Sequence, residues 1–160
     1  MKILKRSYSG FTLIEIMVVL ILLSLSFMVF LQALNTGKSV RVNSEIRTIQ
    51  AVLLNSMQQE IRARKYDENN ASPWSQSLGP AEDETTVTNF DDIDDFHQYK
   101  ISSFLGYPAF SCSVAVNYVD ASDGFHSTQS NPTSYKSIMV KISHKTQSAL
   151  TDTMIISSGF

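Results

Sequence analysis

The sequence predicts an α+β protein in which one long N-terminal helix, membrane-spanning in its first half, packs through its second half on a small antiparallel sheet. Three observations predict it. Between residues 11 and 34 the only charged side chain is Glu15, and a bilayer-crossing helix needs about 20 such apolar residues. Val42, Ile46, Ile49, Leu53, Met57 and Ile61 then recur every three or four residues, the spacing of one helix face. Phe110, Cys112, Val114, Val116 and Tyr118 alternate with Ser111, Ser113, Ala115 and Asn117, as in a half-buried strand.

The chain begins with a short basic head carrying Lys2, Lys5 and Arg6, followed by Ser9-Gly10-Phe11-Thr12-Leu13-Ile14-Glu15. A carboxylate near a membrane helix end costs on the order of 2–3 kcal/mol on insertion scales and marks function or a paired partner. A cut between Gly10 and Phe11 would place a new α-ammonium on Phe11, one helical turn before Glu15. The two charges could then neutralise each other, within one chain or between neighbours. Gly10 suits a cut site because a residue without Cβ lets a protease approach the backbone. An ordinary secretory peptide has an apolar core of about 7–15 residues and a small-x-small site behind it. Here the run is longer and residues 32–37 offer no such site, so the run is expected to stay attached. The basic head puts the short amino-terminal side in the cytoplasm.

These residues resemble the class III signal of type IV prepilins and type II secretion pseudopilins: a basic leader, Gly, then Phe-Thr-Leu-Ile-Glu opening an apolar span, over residues 5 to about 25. The resemblance implies a prepilin peptidase that cuts between Gly10 and Phe11 and methylates the Phe11 amine. It implies that Glu15 guides subunits into a helical filament through charge pairing. The implied partners are other pilins or pseudopilins and an inner-membrane assembly platform. The chain then divides into a cleaved leader (1–10), a transmembrane and filament-core helix (11–34), an amphipathic continuation (35–66) and an exported head (67–160), with a loop over 67–97 and strands over about 99–158. Before processing it would be a single-pass inner-membrane protein with a cytoplasmic N-terminus. Its head would be periplasmic, then part of a pilus or pseudopilus. Many major pilins carry a helix-breaking Gly and Pro inside the span, where Ser24 and Gln32 stand here. Cys112 is the only cysteine, so the internal disulfide of many major pilins is impossible. Both departures point away from a major pilin.

No proline occurs between residues 11 and 71, so one helix is expected from Phe11 to about Lys65, roughly 80 Å at 1.5 Å per residue. Arg41, Glu45, Arg47, Gln58, Gln59, Arg62 and Lys65 lie mostly away from its apolar face. Gly37 costs about 1 kcal/mol relative to Ala inside a helix, which predicts a bend or loosening at residues 35–37. Ser72-Pro73 and Gly79-Pro80 then mark a long loop, anchored by Trp74. Asn70-Ala71-Ser72 fits the glycosylation sequon and is read as coincidence. Ile138, Val140 and Ile142 make a second strand, and residues 153–157 a third, with a turn-rich connection over 120–134. A meander of three or four strands laid across the second half of the helix buries both apolar faces, which is the lollipop plan of the pilin family.

Overall charge is near neutral but unevenly placed. Residues 35–66 hold six basic side chains against Glu45 and Glu60, whereas residues 67–97 hold nine acidic ones and no Lys or Arg. No Lys/Arg cluster with aromatics marks a nucleic-acid face. Gly79-Pro80-Ala81-Glu82 followed by Phe90-Asp91-Asp92-Ile93-Asp94-Asp95-Phe96-His97 is similar to a segment of MSHA-type minor pilins of the D class. That likeness implies a subunit present in few copies that helps initiate or cap a filament. The carboxylates of Asp91, Asp92, Asp94 and Asp95 repel one another, and calcium, taking 6–8 oxygens, would relieve that. The spacing is not an EF-hand loop, and in a strand Asp91 and Asp95 would face away from Asp92 and Asp94. A solvated surface with turn capping is therefore expected, with no cofactor or metal. A third option is that the carboxylates bond backbone amides and fix the loop onto the sheet.

His97, His126 and His144 are scattered and read as ordinary surface or edge residues. Cys112 lies mid-strand, expected to be buried as a small apolar residue, with an intermolecular disulfide as the alternative. No phosphate-cradling glycine loop or nucleophile elbow is present, so no enzyme is expected. The reading is a minor pilin-like subunit of an MSHA-type type IV pilus. The alternatives are a minor pseudopilin of a type II secretion system, and a tethered binding domain that never polymerises and uses the acidic loop as a receptor or calcium site.

Overall fold

The computed structural model describes residues 10–159, so the expectations placed on Lys2, Lys5, Arg6 and Ser9 lie outside the described residues. One helix, α1, runs from Leu13 to Arg62. The chain divides into two compact units after Asn43, so α1 contributes to both.

In the first unit α1 is long and apolar enough to cross a membrane, and none of its most apolar stretch is buried within the chain. Side chains such as Leu13, Leu23 and Val29 are more than half exposed. The hydroxyls in this stretch are satisfied locally: Ser24 Oγ donates to the Leu20 carbonyl and Ser26 Oγ to that of Leu22, each at 2.8 Å. In lipid such i−4 bonds remove the cost of an unpaired hydroxyl. The expected loosening at residues 35–37 does not interrupt the helix, which continues through Gly37. A single glycine costs about 1 kcal/mol, too little to break a hydrogen-bond ladder that continues on both sides.

In the second unit a four-stranded antiparallel meander, ordered β1-β2-β3-β4, follows the helix. Its strands are β1 (Lys100–Ile101), β2 (Phe110–Val119), β3 (Tyr135–His144) and β4 (Leu150–Ser157). The period-two pattern read from β2 is the observed one, with Phe110, Cys112, Val114, Val116 and Tyr118 buried. Antiparallel register sets Cys112 opposite Ile142, Val114 opposite Val140 and Val116 opposite Ile138, so one face of the sheet is continuously apolar. Strand β4 is longer than the expected 153–157, beginning at Leu150, because Leu150, Thr151 and Asp152 keep pairing with β3, Asp152 despite its weak strand propensity.

The helical residues of this unit supply the other wall of the core. Leu54, Met57 and Ile61 are buried and Ile46, Ile49 and Leu53 partly so, while Val42, expected on the same face, is exposed. Two polar side chains are buried with them. Gln50 has no exposed surface, and its Nε2 donates to the carbonyls of Ile142 and Ser148, each at 3.2 Å. Gln58, expected away from this face, donates to Asp152 Oδ2 at 3.0 Å. Burial of an amide without such partners would cost on the order of 1–3 kcal/mol, so these bonds fix how the helix seats on the sheet. Phe90, Ile93 and Phe96 close the core, with Phe96 fully buried and edge-on to Phe90 at 5.1 Å.

Ile61 has no exposed surface, so Ile61→Ala is expected to destabilise this unit by about 2–5 kcal/mol, read as a shift in the urea midpoint of Trp74 fluorescence. Cys112 is buried, and burial pushes its thiol up to about 11. Thiol reagent at pH 8 should therefore leave the folded chain unlabelled and react within minutes in denaturant. Rapid labelling of folded protein would contradict this placement.

Candidate functional site

Two places concentrate chemistry. The first is the start of α1. Thr12 is the residue before the helix, and Glu15 stands at its third position. Glu15 Oε2 accepts from the Thr12 backbone N–H at 2.7 Å and from Thr12 Oγ1 at 2.8 Å, while the Glu15 N–H donates back to Thr12 Oγ1 at 3.3 Å. This is a capping box, and its Thr-x-x-Glu spacing ahead of an apolar run is visible in the sequence. The reciprocal bonds satisfy amides that an N-terminus otherwise leaves orphaned, and place negative charge at the positive end of the helix dipole. Phe11 and Gly10 are exposed just ahead of it.

The second place is the loop that leaves α1. The expected solvated acidic surface is not what forms there: Asp67, Glu84, Asp92, Asp94 and Asp95 are all buried. For Asp67 and Asp94 the reason is Lys136, a β3 residue with no exposed surface. Its ammonium donates to Asp94 Oδ1 at 2.5 Å, to Asp67 Oδ2 at 3.2 Å and to the Tyr66 carbonyl at 2.6 Å. It also lies 4.4 Å from the centre of the Tyr66 ring. Tyr118 Oη donates to Asp67 Oδ2 at 3.2 Å and to the Ser75 carbonyl at 2.8 Å. Burial drives the Asp67 carboxyl upward, but amide bonds from Asn69 and Ser75, the Ser75 hydroxyl and the Lys136 charge together hold it below the usual range.

The remaining aspartates bond backbone amides, the third option above. Asp95 Oδ2 accepts from the N–H groups of Asp91 and Asp92 at 2.9 and 3.1 Å, and Asp92 Oδ1 from those of Asp94 and Asp95 at 2.9 and 3.3 Å. These bonds wrap residues 91–95 into a turn that ends in the 3-10 helix Asp94–Phe96, rather than the strand that would have split the carboxylates between two faces. The turn is tied to the end of α1 by backbone bonds between Lys65 and residues 91 and 93, and by the Lys65–Asp91 ion pair at 3.0 Å. Asp92 is pushed up to about 8, first by burial and then by the neighbouring Asp94 carboxyl. Burial and Asp95 likewise raise Glu84. Of the four aspartates considered for calcium, Asp94 is engaged by Lys136 and Asp95 by amides. Glu68 comes within 4.8 Å of Asp91 and Asp92, oxygen to oxygen, and Glu84 similarly approaches Asp91 and Asp95. Glu68 was not legible as a neighbour, because the fold that brings residues 67–69 against 91–95 has no local signal.

Trp74 anchors the loop as expected, edge-on to Tyr66 at 5.0 Å. His97 is not a simple surface residue: its Nδ1 lies 2.6 Å from the Val116 carbonyl of β2.

Residues 5–31 match the family model of the prokaryotic N-terminal methylation motif, the class III signal of type IV prepilins and pseudopilins. Comparisons with curated proteins and with solved structures returned no match. The motif supports a type IV pilin- or pseudopilin-like protein, processed by a prepilin peptidase and acting with other pilins in a membrane setting. The long apolar helix that carries it fits that anchoring.

Lys136→Met is expected to cost about 3–5 kcal/mol, because it leaves Asp67 and Asp94 buried without their cation. Adding Asp94→Asn to that variant should recover part of the loss, and a double-mutant cycle of urea unfolding free energies with no coupling would contradict the arrangement.

Proposed function

We propose that this chain is a minor, MSHA-type type IV pilin, matured by cleavage between Gly10 and Phe11, methylated on Phe11 and built into the filament through α1. The observation that carries the reading is a single carboxylate, Glu15, at the head of an exposed apolar helix directly behind the methylation-motif glycine. In the precursor that carboxylate serves the Thr12 amide and hydroxyl. Cleavage puts an ammonium on the residue next to Thr12. Glu15 can then meet that charge or the one on a neighbouring chain, so a charge that is costly alone in lipid becomes a registration mark between subunits. The succession from Gly79 to His97, similar to D-class minor pilins, supports the finer assignment, as do the absence of a Gly-Pro pair in the span and a lone cysteine. On this reading the N-terminus is cytoplasmic before processing, and the head passes from periplasm to pilus.

Substitution separates the two duties of Glu15. Glu15→Gln keeps an acceptor for the capping box but removes the charge. It should be cleaved and methylated normally, yet fall at least tenfold in sheared filaments. Normal incorporation would refute the charge-pairing role. Gly10→Val should leave an uncut precursor on a gel, and mass spectrometry of the wild-type amino terminus should find methylated Phe11. An intact Met1 in cells that process other such precursors would leave only a tethered domain.

A further inference from the structure

The loop leaving α1 collects more negative charge than Lys65 and Lys136 can balance. Asp67 and Asp94 already consume the Lys136 ammonium, and Lys65 pairs with Asp91 Oδ2 alone. Asp92 stands out. It is 1 % exposed; its Oδ1 accepts two backbone amides, and its Oδ2 has no hydrogen-bond partner. A buried carboxylate oxygen without a donor costs more than almost any other polar defect in a folded chain. Asp92 and Glu68 both line a polar cleft of about 230 Å³, whose wall also includes Asn69, Ser75 and Ser77. One oxygen each from Glu68, Asp91 and Asp92 lie within 4.8 Å of one another. Oxygens bound to one calcium at about 2.4 Å can be no farther apart than about 4.8 Å, so the three fall within the span of one coordination shell, and a small inward shift of Glu68 and Asp91 brings all three onto a single ion.

We infer that the edge of this cleft is a binding site for a hard divalent cation of the calcium class, held by the carboxylates of Glu68 and Asp92, which line it, and of Asp91 beside them. The orphaned Asp92 Oδ2 is the oxygen left over for the ion, since Oδ1 is committed to the turn. Glu68 and Asp91 are exposed and can adjust their distance, and the cleft admits water to complete a shell of six to eight oxygens. Such adjustable, water-completed coordination favours calcium over magnesium, which demands a tight octahedron. Binding would clamp the start of the loop, at Glu68, to the turn at residues 91–92 and hold both against the end of α1. The site lies wholly in the second unit and does not depend on cleavage or filament assembly.

The test uses the full chain in detergent micelles, stripped with chelator and titrated with calcium chloride by calorimetry, with thermal unfolding followed by Trp74 fluorescence. One calcium per chain is expected, bound at least tenfold more tightly than magnesium, with Kd on the order of 10⁻⁴ M as in extracellular modules. At about twenty times Kd the unfolding midpoint should rise by about 3–6 °C and fall back with chelator. Glu68→Gln, at an exposed position, should not lower the metal-free midpoint and should weaken binding at least tenfold. Asp92→Asn should abolish binding, and Asp83→Asn, an exposed acid outside the site, should change neither quantity. Absence of saturable binding up to 10 mM calcium, or binding retained in both Glu68→Gln and Asp92→Asn, overturns the inference.

Discussion

Lys136 has no exposed surface, and its ammonium meets two carboxylates and a backbone carbonyl drawn from both ends of one long loop. An unpaired ammonium in such a place would cost several kcal/mol, so the strand that carries it can be occupied only when Asp67 and Asp94 are delivered to it. That requirement ties the exit of α1, the turn at residues 91–95 and strand β3 into one unit. The apolar core could be filled by many similar sequences. The Lys136 cluster admits only a loop that returns with its carboxylates in the right place. The neighbouring aspartates, crowded by the same turn, are satisfied by backbone amides, which converts a run of like charges into a stable bend.

A comparable logic runs along the face that α1 presents to the sheet. Leu54, Met57 and Ile61 provide the apolar area, but Gln50 and Gln58 decide the seating, because each amide must find its own partner on the sheet side. Apolar contact alone tolerates sliding by a turn; a buried amide does not. At the other end of the helix the constraint is reversed. There the side chains face outward, the serines bond their own helix and Glu15 closes a capping box, so the segment is self-sufficient in its backbone and leaves its apolar surface for lipid or for neighbouring helices.

Much of this was legible in the chain itself. Period two named β2 and the centre of β3, period three-to-four named most of the buried helix face, and residues 10–15 carried the processing signal. The capping box was legible too, as Thr-x-x-Glu, but a carboxylate in an apolar run draws attention to charge before hydrogen bonding. The character of the acidic loop was not legible. Composition made residues 67–97 a solvated surface, whereas five of their carboxylates are buried. A lysine at position 136 reads as a polar strand residue, and nothing nearby announces that it waits for partners 42 and 69 residues earlier.

Sequence by itself therefore determined what depends on neighbours a few residues away: the apolar span, the capped helix start, the alternation of the strands and the methylation motif. Only the tertiary structure decided which polar groups lose their water. Burial depends on which distant segments meet, and the same aspartate is a solvated charge or a buried acceptor according to whether a lysine from another strand arrives beside it.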